Sequence, residues 1–199
     1  MCGRFYIESE DDTEELLKII EEVNRRHQER VRNGEVCPTD TAAVIAEDMA
    51  RPMQWGFPKY TGKGVIINAR SETATTKPMF SKFAREYRCL VPSSYYIEWQ
   101  RNGKTRIKHH IGLEKRPIYM AGLFRYVGDN PVFCILTREA APVIEHIHDR
   151  MPVLLPVESH RPWLDGEKFE DVMQTAILDV VYQKEEPIRP DVEQMSMFT

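Results

Sequence analysis

The stretch from Ile118 to Thr137, IYMAGLFRYVGDNPVFCILT, decides the fold class, because only four turn-forming residues separate two apolar runs. Both runs are rich in aromatic and β-branched residues, which favour strands, and Gly, Asp, Asn and Pro favour the turn between them. Strands joined by so short a connection are typical of an antiparallel sheet. This stretch therefore predicts antiparallel β-structure.

The same texture extends outward over most of the chain after Arg51. Short apolar or alternating runs, broken by Gly, Pro and Asn, recur as MQWGF (53–57), GVIINAR (64–70), YRCLVP (87–92), YYIEWQ (95–100), TRIKHHIG (105–112) and MPVLLP (151–156). Many short strands with brief connections indicate a largely antiparallel sheet. The sequence predicts an α+β protein whose mainly antiparallel sheet is curved or barrel-like and is flanked by helices.

Four segments carry helical signals. In ESEDDTEELLKIIEEVNRRHQERVRNG (8–34), Ser9 or Asp11 can cap the start and Asn33-Gly34 can close the end of one long amphipathic helix, with His27 packed or at its rim. The others are PMFSKFAREY (78–87), with Met79, Phe80, Phe83 and Tyr87 on one face, a short helix from Ala141 to Ile147, and a helix from Glu167 to Val181. Residues 185–199 are expected to form an extended tail.

Length and composition bound the class of protein. The chain has 199 residues, enough for one good core, and shows no repeat or linker, so residues 1–199 are expected to form a single domain. It has no apolar run of the roughly 18 residues that a membrane span needs and no signal-peptide pattern. A cytoplasmic protein is expected, associated with the nucleoid if bacterial. The four cysteines form no CxxC pair, which argues against a disulfide framework and a zinc ribbon.

Charge is unevenly distributed along the chain, whose net charge is −4. Residues 51–125 hold 15 Lys and Arg against four acids, a balance of +11, and the remaining 124 residues hold 12 against 27, a balance of −15. Such asymmetry suggests a basic face for an anionic ligand on an acidic body. The alternative is a set of solvated Lys and Arg side chains on strands and turns.

Polar side chains interrupt two of the predicted strands. Asn68 and Arg70 end the strand VIINAR, where an amide and a guanidinium fork suit a phosphate-bearing ligand, although Asn is also a common turn residue. Glu98 lies between Ile97 and Trp99. If Glu98 faces inward, its pKa is raised and it suits acid-base chemistry; if it faces outward, it is a surface acid.

The histidines provide a third candidate. In IEHIHDRMP, His148 follows a predicted helix and precedes a strand, which suits a single acid-base or oxyanion-stabilising group with Asp149 or Arg150 holding the loop. A structural histidine is the alternative. His146 and His148 are two residues apart and share no helix face, so a zinc site of the HExxH type is disfavoured. The pair His109-His110 lies in a basic strand and is expected at the surface. No GxSxG elbow accompanies any serine.

Eight short motifs occur along the chain: MCGRF (1–5), WGFP (55–58), NARSET (68–73), KPMF (77–80), RCLVP (88–92), YYIEW (95–99), AGLF (121–124) and HDRMPVLL (148–155). In their order and approximate spacing the chain resembles the SRAP family, named after an SOS-response-associated peptidase, whose members process abasic sites in DNA. The resemblance runs from Met1 to about Pro156. One such motif is a weak indicator, whereas eight collinear motifs with Cys at position two are specific.

The resemblance implies a set of site residues. Met1 is removed, so that Cys2 becomes the N-terminus and forms a covalent thiazolidine with the ring-opened aldehyde of an abasic site in single-stranded DNA. Glu98 and His148 act as the acid-base pair beside it, and Asn68 completes the catalytic set. The DNA-binding residues implied by the resemblance are Arg4, Trp55, Gly56, Arg70, Met79 and Arg88.

The chemistry accounts for a cysteine at the mature N-terminus. Only a residue with both an α-amine and a β-thiol can form an imine with an aldehyde and then close a five-membered ring. An α-amine has a pKa of roughly 7.7–8.0, so about a tenth of it is neutral at neutral pH, whereas a lysine near 10.4 is almost wholly protonated. The reaction requires no metal and no organic cofactor.

Other functions stay open at this point. One is a thiol peptidase, a hydrolase that uses Cys2, Glu98 and His148 and is restricted to its own Met1; lyase-like action on DNA is a related possibility. Another is a non-covalent binding module for single-stranded or modified DNA. In the absence of a sustained heptad, a monomer is expected.

Three positions depart from the family pattern. Tyr95 stands where the family has Gly, Ile97 where Tyr is common, and Ser81 where Arg is frequent. The first is expected to alter the backbone beside Glu98, and the third removes a phosphate contact. The residues assigned to the chemistry are unaffected.

Overall fold

The structure, a computed structural model, describes residues 2–8, 14–27, 31, 33–60, 62–103 and 105–185. Its strands are β1 (Arg4–Ile7), β2 (Gly34–Val36), β3 (Thr41–Ala46), β4 (Met49–Trp55), β5 (Phe57–Pro58), β6 (Val65–Ile66), β7 (Asn68–Arg70), β8 (Arg88–Ser93), β9 (Tyr95–Asn102), β10 (Thr105–Gly112), β11 (Ile118–Val127), β12 (Asn130–Glu139), β13 (Arg150–Pro152) and β14 (Val181–Lys184). Its α-helices are α1 (Glu14–His27), α2 (Ser71–Ala74), α3 (Ser81–Glu86), α4 (His160–Leu164) and α5 (Phe169–Gln174). None of the helices in these ranges is long and apolar enough to cross a membrane.

Five strands close into a barrel in the order β11-β8-β3-β4-β12, because β12 pairs again with β11. Neighbouring strands are antiparallel except β4 and β12, which run parallel where Val132 lies opposite Gln54. The pair β11–β12 includes the register Val127 opposite Asn130, as the stretch around the Gly-Asp-Asn-Pro turn predicts. The predicted α+β class with a barrel-like sheet is confirmed.

Strand β12 organises the site because it also carries two short strands. β7 runs parallel to it, with Asn68 opposite Ile135. β13 runs antiparallel to it, with Arg150 opposite Glu139. The segment that begins at Asn68 and the loop that precedes Arg150 are therefore attached to the same strand, one on each side of its C-terminal half.

A second sheet, antiparallel throughout, has the order β14-β10-β9-β1-β2. Strand β1 lies between β2 and β9, with Arg4 opposite Ile97 and Phe5 opposite Tyr96. The ring of Phe5 packs against Trp55 of the barrel strand β4, with 5.2 Å between the ring centroids. This contact brings the start of the chain to the junction between the barrel and the second sheet.

Apolar side chains fill the barrel and this junction. Trp55, Phe5, Tyr96 and Phe133 are among the largest fully buried side chains. Full burial of a large apolar side chain contributes about 1.5–3 kcal/mol to folding. Cys2 belongs to the same core cluster and has no exposed surface, so packing at the junction fixes the position of the N-terminal segment.

Helix α1 is shorter than predicted. Its buried residues are Leu16, Ile20 and Val23. The chain has left the helix by Val31, which is buried and whose N–H donates to Asn24 Oδ1 at 2.7 Å. Gly34, with φ +96°, then begins β2. The predicted continuation to Asn33-Gly34 is wrong, because a side-chain contact and pairing with β1 replace the helical hydrogen bonds there. His27 is exposed at the end of the helix.

The predicted helix over 141–147 is also wrong. These residues form consecutive turns, in which the Ile144 N–H donates to the Ala141 carbonyl and the Ile147 N–H donates to the Ile144 carbonyl. Each bond spans three residues and not the four of an α-helix, so this segment is tighter than the pattern suggests.

The predicted helix from Glu167 to Val181 is helical only over Phe169–Gln174. Beyond it, the Ile177 N–H donates to the Leu154 carbonyl at 2.9 Å, which draws the chain along the barrel. Val181 then begins β14, which pairs with β10. The segment PMFSKFAREY is helical over Ser81–Glu86, which forms α3. Of the predicted helical face only Phe83 lies in the helix, and Met79, Phe80 and Tyr87 lie outside it.

The prediction of a surface pair at His109-His110 is wrong for His109. That side chain is only 3% exposed, and its ring lies against Tyr182 with 5.7 Å between the centroids. Burial lowers the pKa of His109. It lies opposite Glu98 in the β9–β10 register, so both side chains are on one face of the sheet.

Several predictions fall outside the described residues. They are the helix caps Ser9 and Asp11, the fate of Met1, and the tail over residues 186–199.

Candidate active site

Cys2 lies directly before β1, at the junction of the two sheets. Its side chain is fully buried, and its Sγ is 3.6 Å from the Arg4 carbonyl oxygen. Burial raises the pKa of the Cys2 thiol well above its ordinary value, and the nearby Glu98 carboxylate raises it further. The sulfur is therefore a protonated thiol at neutral pH.

Asn68 connects the barrel to this N-terminal segment. Its Nδ2 donates to the Cys2 carbonyl oxygen at 2.8 Å. Because β7 is fixed by parallel pairing with β12, this bond sets the distance between Cys2 and the barrel. The Oδ1 atom of Asn68 is buried and has no hydrogen-bond partner in the described part of the chain. Buried amide oxygens are normally bonded, so this atom can accept a bond from a ligand.

Glu98 faces inward and is only 4% exposed. Burial raises the pKa of the Glu98 carboxyl, and the nearby His148 acts in the opposite direction. A carboxyl whose pKa is moved toward neutrality can both give and accept a proton. Of the two orientations that strand alternation allows, the structure has the one that suits acid-base chemistry.

Tyr96 is a polar side chain of this site that the sequence pattern did not single out. It lies two residues before Glu98, so both point to the same face of β9, and it is fully buried. Its hydroxyl has no hydrogen-bond partner among the residues that the structure describes. Burial raises the pKa of Tyr96, and Cys2 and Glu98 raise it further. The alternation with Glu98 is the signal that could have found it.

His148 occupies the loop between the 142–147 turns and β13. Its Nδ1 lies 3.0 Å from the backbone N–H of Arg150 and 2.8 Å from Asp149 Oδ1. An Nδ1 that accepts from the N–H leaves the proton of the neutral ring on Nε2. When the ring is protonated, Nδ1 can instead donate to Asp149, whose side chain is 83% exposed. The loop is held against β9, since Gln100 Nε2 donates to the His146 carbonyl at 3.2 Å.

An open groove of about 650 Å³ begins at Asn68. Arg70, Lys77, Met79 and Tyr60 line it, and Arg70, Lys77 and Tyr60 are exposed. We call the site of Cys2, Asn68, Tyr96, Glu98 and His148 the reactive corner. The groove thus joins the reactive corner to two cations and an exposed aromatic ring. Of the residues expected to bind DNA, Arg70 and Met79 lie here.

Arg4 lies on the outer face of the second sheet. Its guanidinium stacks on Trp99, 5.3 Å from the ring centroid, and forms an ion pair with Glu35 of β2. Its side chain is 43% exposed. A ligand can reach Arg4 on this side of the sheet, but it has to compete with Glu35 for the guanidinium. Glu35 was not predicted from the sequence, because it lies 31 residues away from Arg4 along the chain.

Trp55 and Gly56 fix the position of the segment that leads into β7 and Asn68. Trp55 is fully buried, and its Nε1 donates to the Ile67 carbonyl at 3.0 Å, next to Asn68. Gly56 has φ +124°, and a Cβ there would lie 2.7 Å from Val65. The backbone at this point therefore requires glycine, and the indole positions β7 without offering an exposed ring face.

Arg88 lies away from this corner and is only 6% exposed. Its Nε donates to the Ala84 carbonyl and its Nη1 to the Glu167 carbonyl, each at 2.7 Å. The guanidinium also stacks on Trp163, 4.6 Å from the ring centroid. These contacts use Arg88 to join β8, α3 and the segment before α5, so the structure does not bring it together with the other residues expected to bind DNA.

The departures from the family pattern are accommodated by packing. Tyr95 lies between two rings, Tyr6 at 5.2 Å and His110 at 4.4 Å between centroids. Ile97 is fully buried. Ser81 begins α3.

The structure thus places a buried Cys2, an inward-facing Glu98 and the His148 loop near a basic groove, and comparison with known proteins identifies the family. Residues 1–194 match the family described as SOS response associated peptidase (SRAP). The chain belongs to the SRAP family, as its eight motifs predict.

Characterised relatives are similar over most of their length. Abasic site processing protein YoqW of Bacillus subtilis (strain 168) is 32% identical over 195 residues, covering 89% of this chain and 86% of the relative. Abasic site processing protein YedK of Escherichia coli (strain K12) is 29% identical over 180 residues, covering 84% and 81%. A crystal structure of a protein from Bacteroides thetaiotaomicron shares the fold, with a TM-score of 0.78, 19% identity and coverage of 94% and 93%.

Proposed function

We propose that this chain processes abasic sites by forming a covalent thiazolidine crosslink between Cys2 and the aldehyde of an abasic site in single-stranded DNA. The observation that carries the proposal is the placement of Cys2, which is fully buried, hydrogen-bonded to Asn68 and close to Glu98. Removal of Met1 places the α-amine of Cys2 at this position. The chain then acts as a single-domain monomer and needs neither metal nor organic cofactor.

The amine, and not the thiol, is the first nucleophile in this proposal. Burial and Glu98 raise the pKa of the Cys2 thiol, so little thiolate exists at neutral pH. An α-amine with a pKa of roughly 7.7–8.0 is partly neutral under the same conditions. The same argument disfavours a general thiol peptidase, which depends on a thiolate, and restricts proteolysis to hydrolysis of the Met1–Cys2 bond.

The proposed reaction has two covalent steps. The amine nitrogen adds to the aldehyde carbon, and loss of one water gives the imine. The sulfur then adds to the imine carbon while the thiol proton passes to the nitrogen, which closes the five-membered ring. Glu98 carries protons during opening of the sugar ring and loss of water, and His148 donates from Nε2 to the sugar oxygen as it is released.

The buried polar atoms that lack a hydrogen-bond partner in the described part of the chain include two at the site, and this supports a polar substrate there. They are Asn68 Oδ1 and the Tyr96 hydroxyl. A sugar that has lost its base offers hydroxyl groups that can donate to Asn68 Oδ1, and its hydroxyl and phosphate oxygens can accept from the Tyr96 hydroxyl. Along the groove, Arg70 and Lys77 are placed to contact phosphates, with Met79 and Tyr60 as apolar surface. Arg4 provides a further cation on the other side of Cys2.

The experiment mixes the protein with a single-stranded oligonucleotide that carries one abasic site, resolves the products on a denaturing gel and measures the intact mass of any shifted band. We expect a heat-stable adduct whose mass corresponds to protein without Met1 plus DNA minus one water. Cys2→Ala is expected to give no adduct. Cys37→Ala, which removes a different and partly exposed cysteine, is the matched control and is expected to react like the wild type.

A non-covalent DNA-binding module is the second candidate, favoured by the same basic groove. It predicts equal binding of wild type and Cys2→Ala in a native gel and no adduct from either protein. An adduct that survives in Cys2→Ala would instead contradict the assignment of the nucleophile.

A further inference from the structure

We propose that Glu72 and Arg150 form a positioning pair that fixes the ring orientation and tautomer of His148. The inference rests on the proposed function for the role of His148, whereas the pair itself is defined by its own contacts. Neither residue needs to touch the substrate.

Both Nη atoms of the Arg150 guanidinium are held by hydrogen bonds. Nη1 and Nη2 donate to the two carboxylate oxygens of Glu72 at 2.7 and 2.8 Å, and Nη2 also donates to the Thr137 carbonyl at 2.7 Å. The Arg150 side chain is 11% exposed and that of Glu72 is 45% exposed. A two-pronged bond to a carboxylate constrains direction as well as distance, which a single ionic contact does not.

The pair spans the strand that carries both halves of the site. Glu72 lies in the first turn of α2, directly after β7, and Arg150 is the first residue of β13. Both strands pair with β12, where Thr137 lies opposite Arg70 on one side and Pro152 on the other. Closing the Glu72–Arg150 contact across Thr137 therefore locks the segment of Asn68 to the segment of His148.

The connection from this pair to His148 is a single hydrogen bond. The backbone N–H of Arg150 points at His148 Nδ1, 3.0 Å away. An acceptor role for Nδ1 requires the proton of the neutral ring to be on Nε2, the atom that faces away from this bond. If the Arg150 backbone moves, Nδ1 loses this donor, and its contact with Asp149 Oδ1, a hydrogen-bond acceptor, favours the opposite tautomer.

This explains why a carboxylate is needed at position 72 although it lies outside the reactive corner. Arg150 lowers the pKa of Glu72 through a hydrogen bond, so Glu72 stays ionised and the contact persists throughout the neutral range. Glu72→Gln keeps the shape of the side chain but leaves only one acceptor for the two guanidinium nitrogens.

The test uses full-length protein with three measurements. The first is the rate of crosslinking to abasic single-stranded DNA. The second is the affinity for the same strand with a tetrahydrofuran residue, which has no aldehyde. The third is the ¹⁵N chemical shift pair of the His148 ring above its titration, which distinguishes Nδ1–H from Nε2–H. Glu47→Gln is the matched control, because it removes the partner of Arg51 in an exposed pair at the other end of β4.

We expect Glu72→Gln to slow crosslinking about tenfold, to leave tetrahydrofuran-DNA affinity within about twofold, and to convert the His148 spectrum from Nε2–H toward a mixture. Glu47→Gln is expected to match the wild type in all three. Arg150→Lys keeps the charge but cannot form the two-pronged bond, and it should act in the same direction if Glu72→Gln fails to fold.

The inference is overturned if Glu72→Gln leaves both the rate and the His148 tautomer unchanged. It is also overturned if rate and affinity fall together while the tautomer is unchanged, since Arg150 would then serve DNA binding. If the wild type itself forms no crosslink, the proposed function fails. The tautomer measurement then decides the positioning role alone, with a changed spectrum supporting it and an unchanged one refuting it.

Discussion

At the scale of single residues, the reactive corner combines groups whose surroundings oppose ionisation. Cys2 and Tyr96 are fully buried and Glu98 nearly so. Burial raises the pKa of all three. Such surroundings favour the protonated forms. At a pH that ionises Glu98 they lower stability, because the carboxylate is then held in a poorly solvated position.

Glu98→Gln should make the protein more stable and less reactive. The raised pKa of Glu98 means that its contribution to stability is fully present below the ordinary carboxyl pKa, declines as pH rises to the folded-state pKa, and is lost above it. Glutamine does not ionise, so the variant does not lose this stability as the pH rises. We therefore expect the melting temperature of the variant to exceed that of the wild type by a few degrees at pH 8, with the difference shrinking toward pH 4.

The same variant is expected to crosslink about a hundredfold more slowly, in keeping with the removal of a general acid or base. Calorimetry over a series of pH values tests the expected melting temperatures, and the denaturing-gel assay tests the expected crosslinking rate. Glu86→Gln, at an exposed position on α3, serves as control and should change neither. A difference in melting temperature that does not depend on pH would contradict the account of Glu98.

At the scale of elements, β1 connects the reactive corner with the outer surface. Its two neighbours contribute differently, since β9 supplies Glu98 and β2 supplies Glu35. Burial opposes ionisation of Glu35, but the hydrogen bond and charge of Arg4 outweigh it and lower its pKa. Arg4 is thus already paired with an internal carboxylate, which a DNA phosphate would have to replace in the proposed complex.

Glu35→Gln should therefore strengthen DNA binding. A partly exposed ion pair contributes about 0–1 kcal/mol, so removing the competitor is expected to raise affinity for tetrahydrofuran-containing single-stranded DNA about two- to fivefold. Fluorescence anisotropy measures this directly.

Glu185→Gln is the matched control for that experiment. Glu185 pairs with Lys108, as Glu35 also does, whereas the ion pair of Arg4 is with Glu35. An equal gain from both variants would show that net charge, and not release of Arg4, is responsible.

At the scale of the whole molecule, the basic segment 51–125 does not form a single face. Arg88 is buried among aromatic rings. Arg51 pairs with Glu47 at the end of β4 remote from Trp55. Only part of the positive charge, Arg70 and Lys77, lines the groove next to Asn68. Of the Lys and Arg residues in this segment, the fold therefore places only a few beside the site.

The salt dependence of DNA binding should reflect this small set of cations. With Arg4, Arg70 and Lys77 contacting phosphates, we expect the logarithm of the association constant to fall with the logarithm of salt concentration at a slope of about −2, since each contact on a single strand contributes about −0.7. Arg70→Ala is expected to reduce the slope by about 0.7 in magnitude.

Arg51→Ala, a change within the same basic segment but outside the groove, should leave the slope unchanged. A slope steeper than about −5, or equal effects of the two variants, would show that the basic segment acts as one broad surface. Titrations of unreactive DNA at several salt concentrations provide the measurement.

Local patterns were sufficient for the family and for most strands between Met53 and Pro156, and insufficient for β1, β2, β3 and β14 and for helix length. The runs around β11 and β12 carry their own turn, so pairing could be predicted from neighbours in the chain. The chain has left α1 by Val31, whose backbone N–H is taken by the Asn24 side chain of the same helix. The segment after α5 is extended because a distant group, the Leu154 carbonyl, accepts the backbone hydrogen bond of Ile177. Helical periodicity does not report such competition.

The sequence by itself determined the α+β class, the antiparallel character of the sheet and the family, because apolar alternation, turn residues and ordered motifs are local properties. Only the tertiary structure decided that Glu98 faces inward, that Arg88 is buried and that Glu72 reaches Arg150. Those outcomes depend on which strands meet across the closed barrel. A side chain's burial, and with it its pKa and its partners, is set by residues far away in the chain.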